Sequence, residues 1–193
     1  MFDSRITAKI VATSILAVAS GCVARPPLAF PPPAPAACCK SWQDARFEPV
    51  GIEGASHVAI HIGQSATFDF TEGRSTFVAY MLPEQRPRSI GVRTFVSTPS
   101  RLPYATVFRP RVLFLDAGRR EIATRPFEPM TRGAEFLAGP YYTATADVPP
   151  EARYVVIYAA PSAKTDRLVA RSVNGSIFGL PNAYEGTISV TFQ

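Results

Sequence analysis

Short runs of alternating apolar and polar residues most constrain how this chain can fold. From residue 66 onward such runs recur between turn-forming residues, and the clearest are at 66–70, 90–96 and 188–192. Successive side chains of a β-strand point to opposite faces of the sheet, so this period indicates strands with one buried face. No long helical period competes with it. The pattern therefore predicts an all-β fold.

Other runs are apolar on both faces and predict strands at the centre of a sheet. Turns rich in proline and glycine separate them, and strands at this spacing favour an antiparallel β-sandwich, jelly-roll-like, formed as one domain by residues 45–193. Residues 165–173 fit this pattern poorly and predict a short helix or a loop, with Asn174-Gly175 as a stop or turn. The two-sided runs are residues 75–82, 112–115, 141–146 and 154–158.

The N-terminus carries the pattern of a bacterial lipoprotein signal. Two basic residues precede an uncharged run at 10–19, which is too short to span a bilayer, and Ser20-Gly21 lead directly to Cys22. This predicts a signal peptide at 1–21 and acylation of Cys22, with palmitate among the chains that hold the protein on a membrane. Val23 follows the cysteine in place of the aspartate of an inner-membrane retention signal, so we expect the periplasmic face of the outer membrane. Because Ala19 stands where Leu or Val is usual, two alternatives stay open: a soluble periplasmic protein cut near the same place, or a buried N-terminal helix.

A proline-rich tether follows the predicted lipid. The six prolines within 23–37 favour extended polyproline II, so residues 22–44 are expected to hold the domain away from the membrane. Cys38 and Cys39 are the remaining cysteines. Three alternatives stay open for them: reduced or externally paired thiols, a vicinal disulfide, or a redox or metal role.

Charge and motifs argue against several classes of function. The net charge is only +5 and the arginines are dispersed, which does not favour nucleic-acid binding. His57 and His61 lack the glutamate of a zinc-protease helix, and the alternatives are two exposed strand histidines or a metal site with one of four acidic residues. Nucleophile-elbow and phosphate-loop motifs are missing, so we expect no enzyme and no cofactor. The four acidic residues are Asp44, Glu48, Glu53 and Asp69.

Aromatic residues remain as candidates for a binding site. An exposed aromatic ring can lie against the apolar side of a sugar while polar neighbours bind its hydroxyl groups. Trp42, Tyr104 and Tyr184 are the candidates for such a role, since Tyr104 and Tyr184 stand among turn-forming residues. The alternative is that these rings pack in the core or anchor loops.

The order of several strings in the chain resembles a known family. An apolar run ending in Ala79-Tyr80 precedes a proline-bordered turn at Pro83, and a Val-Phe-x-Pro-x-Val-x-x-Leu-Asp block follows at 107–116. Together with Cys38-Cys39 and the lipoprotein start, this succession is similar to the maltose operon periplasmic protein family. The block at 107–116 is its most specific part, and it is a structural string and not a catalytic signature.

The resemblance implies a periplasmic accessory protein of carbohydrate uptake with no catalytic residues to carry over. Its implied partners are membrane lipid, through acylated Cys22, and either an oligosaccharide or an outer-membrane porin or transport component. A tethered envelope domain that binds another protein, and no sugar, is the alternative function. The chain ends at Gln193, directly after the last predicted strand, where longer members of the family continue.

Overall fold

The computed structural model describes residues 30–97, 104–136, 139–162, 167–171 and 174–193. Within these ranges the chain forms β-strands and no helix, as the alternating pattern predicts. The strands are β1 (Glu48–Pro49), β2 (Ala55–Ile60), β3 (Thr67–Phe70), β4 (Gly73–Met81), β5 (Ser89–Ser97), β6 (Thr106–Phe108), β7 (Pro110–Leu115), β8 (Glu121–Pro126), β9 (Thr131–Glu135), β10 (Gly139–Asp147), β11 (Tyr154–Ala159), β12 (Leu168–Arg171), β13 (Ile177–Leu180), β14 (Asn182–Ala183) and β15 (Gly186–Phe192).

The strands are arranged in two main sheets and a hairpin. The first sheet has six strands in the order β1-β4-β11-β7-β8, with β3 paired to β4. The second has seven strands in the order β14-β6-β5-β10-β9, with β15 paired to β5 and β2 paired to β15. Pairing is antiparallel except where the short strands β1 and β14 join β4 and β6. Strands β12 and β13 pair with each other.

The main core lies between the two sheets. Phe114 of β7 and Ile157 of β11 are fully buried on the inner face of the first sheet, as are Val92 of β5 and Ile188 of β15 on the inner face of the second. Side chains from both sheets thus form one apolar cluster, which is the arrangement of a β-sandwich. The predicted fold class is confirmed.

A second apolar cluster covers the outer face of the first sheet. The indole of Trp42 lies at its centre and stacks on Phe68, with the ring centroids 4.0 Å apart. Outward-facing residues of β4, β7 and β11 lie beneath these rings. The first sheet is therefore buried on both faces. This confirms the central positions predicted for the two-sided runs that form these three strands.

The block at 107–116 shows how the sequence specifies two-sided burial. Its chain leaves β6 of the second sheet and enters the first sheet at Pro110, the first residue of β7. Val112 and Phe114 then face the main core, while Leu113 and Leu115 face the second cluster. This division is the one that the alternation predicts.

Asp116 closes the turn between β7 and β8. Its carboxylate accepts hydrogen bonds from the backbone N–H of Arg120 over 2.9 Å and from the Arg120 guanidinium over 2.8 Å. The backbone bond, followed by the side-chain bond, lowers the pKa of the Asp116 carboxyl below its usual value. The Asp116 side chain therefore closes this turn, a role that aspartate commonly takes.

We expect Asp116→Ala to destabilise the domain at neutral pH and to have little effect in acid. A carboxyl whose pKa is lowered by folding stabilises the fold above its unfolded-state pKa, and that stabilisation is lost as pH falls through the folded-state value. Thermal unfolding from neutral pH into strong acid measures the difference, and Asp116→Asn, which keeps an acceptor oxygen, should lose less. A difference in Tm that does not change with pH would contradict this assignment.

The N-terminal segment from residue 30 onward lies on the sandwich. The backbone N–H of Phe30 donates to the Ser162 hydroxyl over 2.7 Å, and the Thr67 hydroxyl donates to the carbonyl of Ala36 over 2.7 Å. The predicted free tether and the predicted domain start at 45 are therefore wrong for residues 30–44. A proline-rich sequence predicts an extended conformation, but it does not determine whether that conformation packs on a surface.

Cys22 and the predicted signal peptide lie outside the described residues. The lipid anchor therefore stays a prediction of the sequence. Among the residues that are described, no helix has the length and apolar character needed to cross a bilayer.

A β-hairpin occupies the region whose sequence suggested a helix or a loop. Leu168–Arg171 pairs with Ile177–Leu180, and Asn174 and Gly175 lie in the connection between them. Both alternatives, a short helix and a loop, are therefore wrong for residues 168–171, and the predicted turn at Asn174-Gly175 is confirmed. The alternation of buried Ala170 with exposed neighbours was the available signal, but the strand is too short for that signal to be clear.

Candidate functional site

The three predicted sugar-binding aromatic residues do not lie together. Tyr104 is exposed, with 67% of its surface accessible, whereas Trp42 and Tyr184 retain only 4% and 6%. A ring buried to this extent has no free face for a sugar. The prediction that Trp42 and Tyr184 serve as exposed binding rings is therefore wrong.

Tertiary contacts explain the burial of both rings. The Trp42 indole N–H donates to Glu121 Oε1 over 2.7 Å while its ring packs in the second cluster. The Tyr184 hydroxyl accepts the backbone N–H of Ser162, and its ring packs in the main core. The residues around Tyr184 correctly indicated irregular backbone, but β14 pairs with β6 immediately before it and draws the ring inward.

Cys38 and Cys39 are joined by a disulfide in the structure. Of the three alternatives that the sequence left open, the structure therefore has the vicinal disulfide. Cys39 packs at the border of the second cluster. The pair thus lies where the N-terminal segment docks on the domain.

A β-bulge in β2 carries His57. Ser56 and His57 together lie opposite the single residue Ser189 of β15, and the His57 N–H donates to the Ser189 hydroxyl over 2.9 Å. His57 has a φ of 53°, in the left-handed region that side-chain-bearing residues seldom adopt. Bulges redirect side chains and are common beside functional sites. This one places the imidazole on the outer face of the second sheet.

Glu135 of β9 connects His57 to Arg93 of β5. Its Oε1 lies 2.6 Å from Arg93 Nη1, and its Oε2 lies 3.6 Å from His57 Nε2. The side chains of Glu135, Arg93 and His57 are 31%, 49% and 54% exposed, so a ligand in solution can reach their polar atoms. An ion pair as exposed as that of Arg93 and Glu135 contributes little to stability. Their value lies in the donors and acceptors that they present together.

Aromatic rings form the floor beneath these polar groups. The His57 imidazole stacks on Phe95, with centroids 4.9 Å apart, and the Arg93 guanidinium lies 5.3 Å from the centroid of Tyr141. Gly133 of β9 is opposite Tyr141, and a Cβ at this glycine would overlap the phenol ring. The glycine therefore allows the Tyr141 ring to lie across β9.

Hydroxyl groups continue the site along the same sheet face. They line a cavity of about 250 Å³ that also includes His57, Arg93 and Glu135. Gly91 lies in register between Thr145 and Thr191 of the neighbouring strands, and the Thr191 hydroxyl lies in the space that a side chain at position 91 would fill. The hydroxyl groups belong to Ser56, Thr143, Thr145, Ser189 and Thr191.

A second cavity adjoins the first at His57. It has a volume of about 390 Å³ and is lined on its far side by His61, Thr106 and Glu185. His57 lines both cavities, so the two cavities are adjacent on the second sheet. We call these two cavities together the His57 groove.

His57 and His61 do not belong to a complete set of metal ligands in the described part of the chain. Among the described residues, no three His, Cys, Asp or Glu side chains are placed to hold a metal ion together. The carboxylate beside His57 belongs to Glu135 and not to any of the four acidic residues considered from the sequence. One of those four, Asp69, pairs with Arg74 on the first sheet at 2.7 Å.

Ser189, His57 and Glu135 superficially suggest a hydrolase triad. However, Ser189 is only 8% exposed, and its hydroxyl accepts the backbone N–H of His57. A nucleophilic serine must present its oxygen to the substrate and to a base. The arrangement of these residues therefore suits ligand binding better than covalent catalysis.

Sequence reasoning missed two residues of the groove, Arg93 and Glu135, and the adjacent ring of Tyr141. Arg93, Glu135 and Tyr141 did not stand out because none belongs to a recognisable motif. The available signal was a set of polar residues at the outward positions of β5, β10 and β15. That signal becomes specific only when the strand order and register are known.

Comparisons with family models, with curated proteins and with solved structures found no match for this chain. Its resemblance to the maltose operon periplasmic protein family therefore stays a prediction from the sequence.

Proposed function

We propose that this protein is a non-catalytic accessory lipoprotein that binds an oligosaccharide in the His57 groove at the periplasmic face of the outer membrane. The observation that carries this proposal is the composition of the groove. Hydroxyl groups, a carboxylate, a guanidinium and an imidazole share one open sheet face with the Tyr141 ring. Ligand sites commonly combine aromatic surface with a few convergent polar groups in this way.

The charges of the groove favour a ligand without net charge. Arg93 and Glu135 neutralise each other, and the cavity around them is otherwise lined mainly by neutral hydroxyl groups. A sugar hydroxyl both donates and accepts hydrogen bonds, so adjacent hydroxyls can engage the guanidinium and the carboxylate together. A strongly anionic ligand would find little unbalanced positive charge here.

The proposed location depends on Cys22. Its small-residue context supports acylation, and two or more acyl chains are needed for stable membrane anchoring. The described chain begins at Phe30, eight residues further on. An anchor so close to the domain would keep the groove near the membrane, where sugars from an outer-membrane pore arrive. Failure of Cys22 to incorporate palmitate in cells would contradict this part of the proposal.

Calorimetric titration with a series of maltodextrins tests the proposed ligand. We expect saturable binding that strengthens with chain length, because the groove extends over two adjoining cavities. His57→Ala should weaken binding about threefold to tenfold, which is the usual effect of losing one hydrogen bond. Alanine keeps the Cβ of His57 and removes the imidazole, and circular dichroism checks that the variant folds.

Gln85→Ala is the matched control, because Gln85 is exposed in the connection between β4 and β5 and lines neither cavity of the His57 groove. It should bind as wild type does. Absence of heat with every oligosaccharide at millimolar concentration would refute the sugar proposal, as would equal affinities for wild type and His57→Ala. Trp42 fluorescence is a poor reporter here, because that ring is buried on the other sheet.

A protein-binding domain without a sugar ligand is the second candidate. A cavity of about 420 Å³ at the β4–β5 and β10–β11 connections favours this candidate. Arg86 and Arg88 line this cavity together with Pro83, Pro87 and Pro149. Extended chains of partner proteins often bind such apolar grooves with charged borders. Recovery of one envelope protein with wild type but not with an Arg86→Glu/Arg88→Glu variant would support this candidate.

A further inference from the structure

The described chain begins with Phe30 at one end of the sandwich, on the side from which it continues back to the predicted lipid at Cys22. Phe30 is held by Ser162, whose hydroxyl donates to the carbonyl of Asn182. Asn182 pairs with Val107 of β6, and Val107 pairs with Val96 near the end of β5. We call this the anchor end, which comprises the last residues of β2, β5 and β9 and the first residues of β6, β10 and β15.

Large exposed hydrophobic side chains are found at the anchor end. Phe136 follows the last residue of β9 and its ring is completely exposed. Tyr104 precedes β6 and is 67% exposed, and Ile62 follows β2 and is 42% exposed. Each lies in a connection beside a strand terminus at the same end of the second sheet. Full exposure of a phenylalanine ring to water is unfavourable, so a surface that covered the Phe136 ring would stabilise the protein.

The length of chain before Phe30 indicates what that surface is. Eight residues from Cys22 to position 29 reach at most about 25–30 Å when extended. A nine-residue strand such as β5 is itself about 30 Å long. A lipid attached to Cys22 therefore holds the anchor end within about 30 Å of the bilayer, and contacts of the folded domain itself then decide whether that end touches the lipid.

We propose that the anchor end rests on a lipid bilayer with the Phe136 ring inserted among the headgroups and upper acyl chains. Aromatic side chains are enriched at this depth of a membrane, where Tyr104 can also lie with its hydroxyl toward water. The orientation rests on the Cys22 anchor of the proposed function. The insertion itself is a property of the folded domain and is tested separately.

The test attaches the chain from Cys22 to Gln193 to vesicles by a chemical route. Cys22 is the one cysteine outside the Cys38–Cys39 disulfide, so it couples selectively to a maleimide-headgroup lipid in vesicles of phosphatidylethanolamine and phosphatidylglycerol. This coupling does not depend on natural acylation or on sugar binding. Failure of either part of the proposed function therefore leaves the test valid.

Quenching by brominated acyl chains reports which end touches the bilayer. We expect the fluorescence of the tryptophan introduced by Phe136→Trp to be quenched several-fold more strongly than that of the tryptophan introduced by Ile122→Trp. Ile122 is the matched control, because it is a 39% exposed hydrophobic residue at the start of β8, at the opposite end. The buried Trp42 contributes a background that the wild-type chain measures. Both substitutions are on the surface, and circular dichroism checks that both variants fold.

Equal quenching in the two variants would overturn the proposal. Sedimentation tests the other occupant of this end, a second copy of the chain. Dimers that Phe136→Ser abolishes, together with no quenching of Phe136→Trp, would overturn the proposal in favour of that contact. Quenching of Phe136→Trp that disappears when the vesicle lacks brominated lipid confirms direct insertion. In that case Phe136→Ser should reduce binding of the uncoupled chain to vesicles by about tenfold, as expected for one buried aromatic ring.

Discussion

Replacing Trp42 with alanine is expected to lower the free energy of unfolding by about 3–5 kcal/mol, the usual range for removal of a buried tryptophan. The indole is 4% exposed, stacks on Phe68 and lies 5.7 Å, centroid to centroid, from Phe77 in an edge-to-face arrangement. The variant would leave a cavity in the second cluster and would remove the donor to Glu121. Urea unfolding followed by far-UV circular dichroism measures the change, since Trp42 is the only tryptophan.

Two controls separate packing from hydrogen bonding. Trp42→Phe keeps most of the apolar contact and loses the bond to Glu121, so it should cost about 1–2 kcal/mol. Tyr104→Ala removes an exposed ring and should change stability by less than about 0.5 kcal/mol. If Trp42→Ala were as stable as Tyr104→Ala, the N-terminal segment would not be part of the folded domain, and the free tether would be restored.

Replacing Glu135 with alanine is expected to weaken oligosaccharide binding about tenfold to a hundredfold, which is more than the His57 change. A hydrogen bond to a charged group contributes about 1.5–3 kcal/mol, and Glu135 also positions two neighbours. Without its carboxylate, the Arg93 guanidinium loses a partner at 2.6 Å and the His57 imidazole loses one at 3.6 Å. Calorimetry with the longest maltodextrin that binds wild type measures the loss.

Stability should change little in the same variant, because the Arg93–Glu135 ion pair is exposed to solvent. Glu135→Gln keeps one acceptor oxygen and should fall between wild type and Glu135→Ala. Glu151→Ala is the matched control, since Glu151 is exposed at the opposite end of the sandwich. Equal losses for the Glu135 and Glu151 variants would show that the groove does not form the site. So would an unchanged affinity in Glu135→Ala together with normal folding.

The strands of the first sheet were predictable because their signal is local. In β7, Val112 and Leu113 belong to opposite faces simply because they are neighbours in an extended chain. The absence of a polar face then indicates that both sides are covered. The sequence does not say what covers them, and Trp42 reaches this position from a segment that reads as a tether.

The groove was not predictable because its members are far apart in the chain. Arg93 and Glu135 are separated by 42 positions, and His57 and Ser189 by 132. Their proximity depends on strand order, on register and on one bulge that turns His57 along the sheet. A sequence with no motif contains none of this information in a form that local patterns reveal.

By itself, then, the sequence determined the all-β class, the two-sided burial of β4, β7 and β11 and the expectation of a lipid at Cys22. These depend on side-chain alternation and on a short contiguous signal. The two-sided burial predicted for the run at 141–146 is wrong, because β10 is buried on one face only. Only the tertiary structure decided that Trp42 and Tyr184 are buried, that residues 30–44 pack on the domain, and that His57, Arg93 and Glu135 share one groove. Those outcomes depend on contacts between residues distant in sequence, which folding brings together and local sequence patterns do not encode.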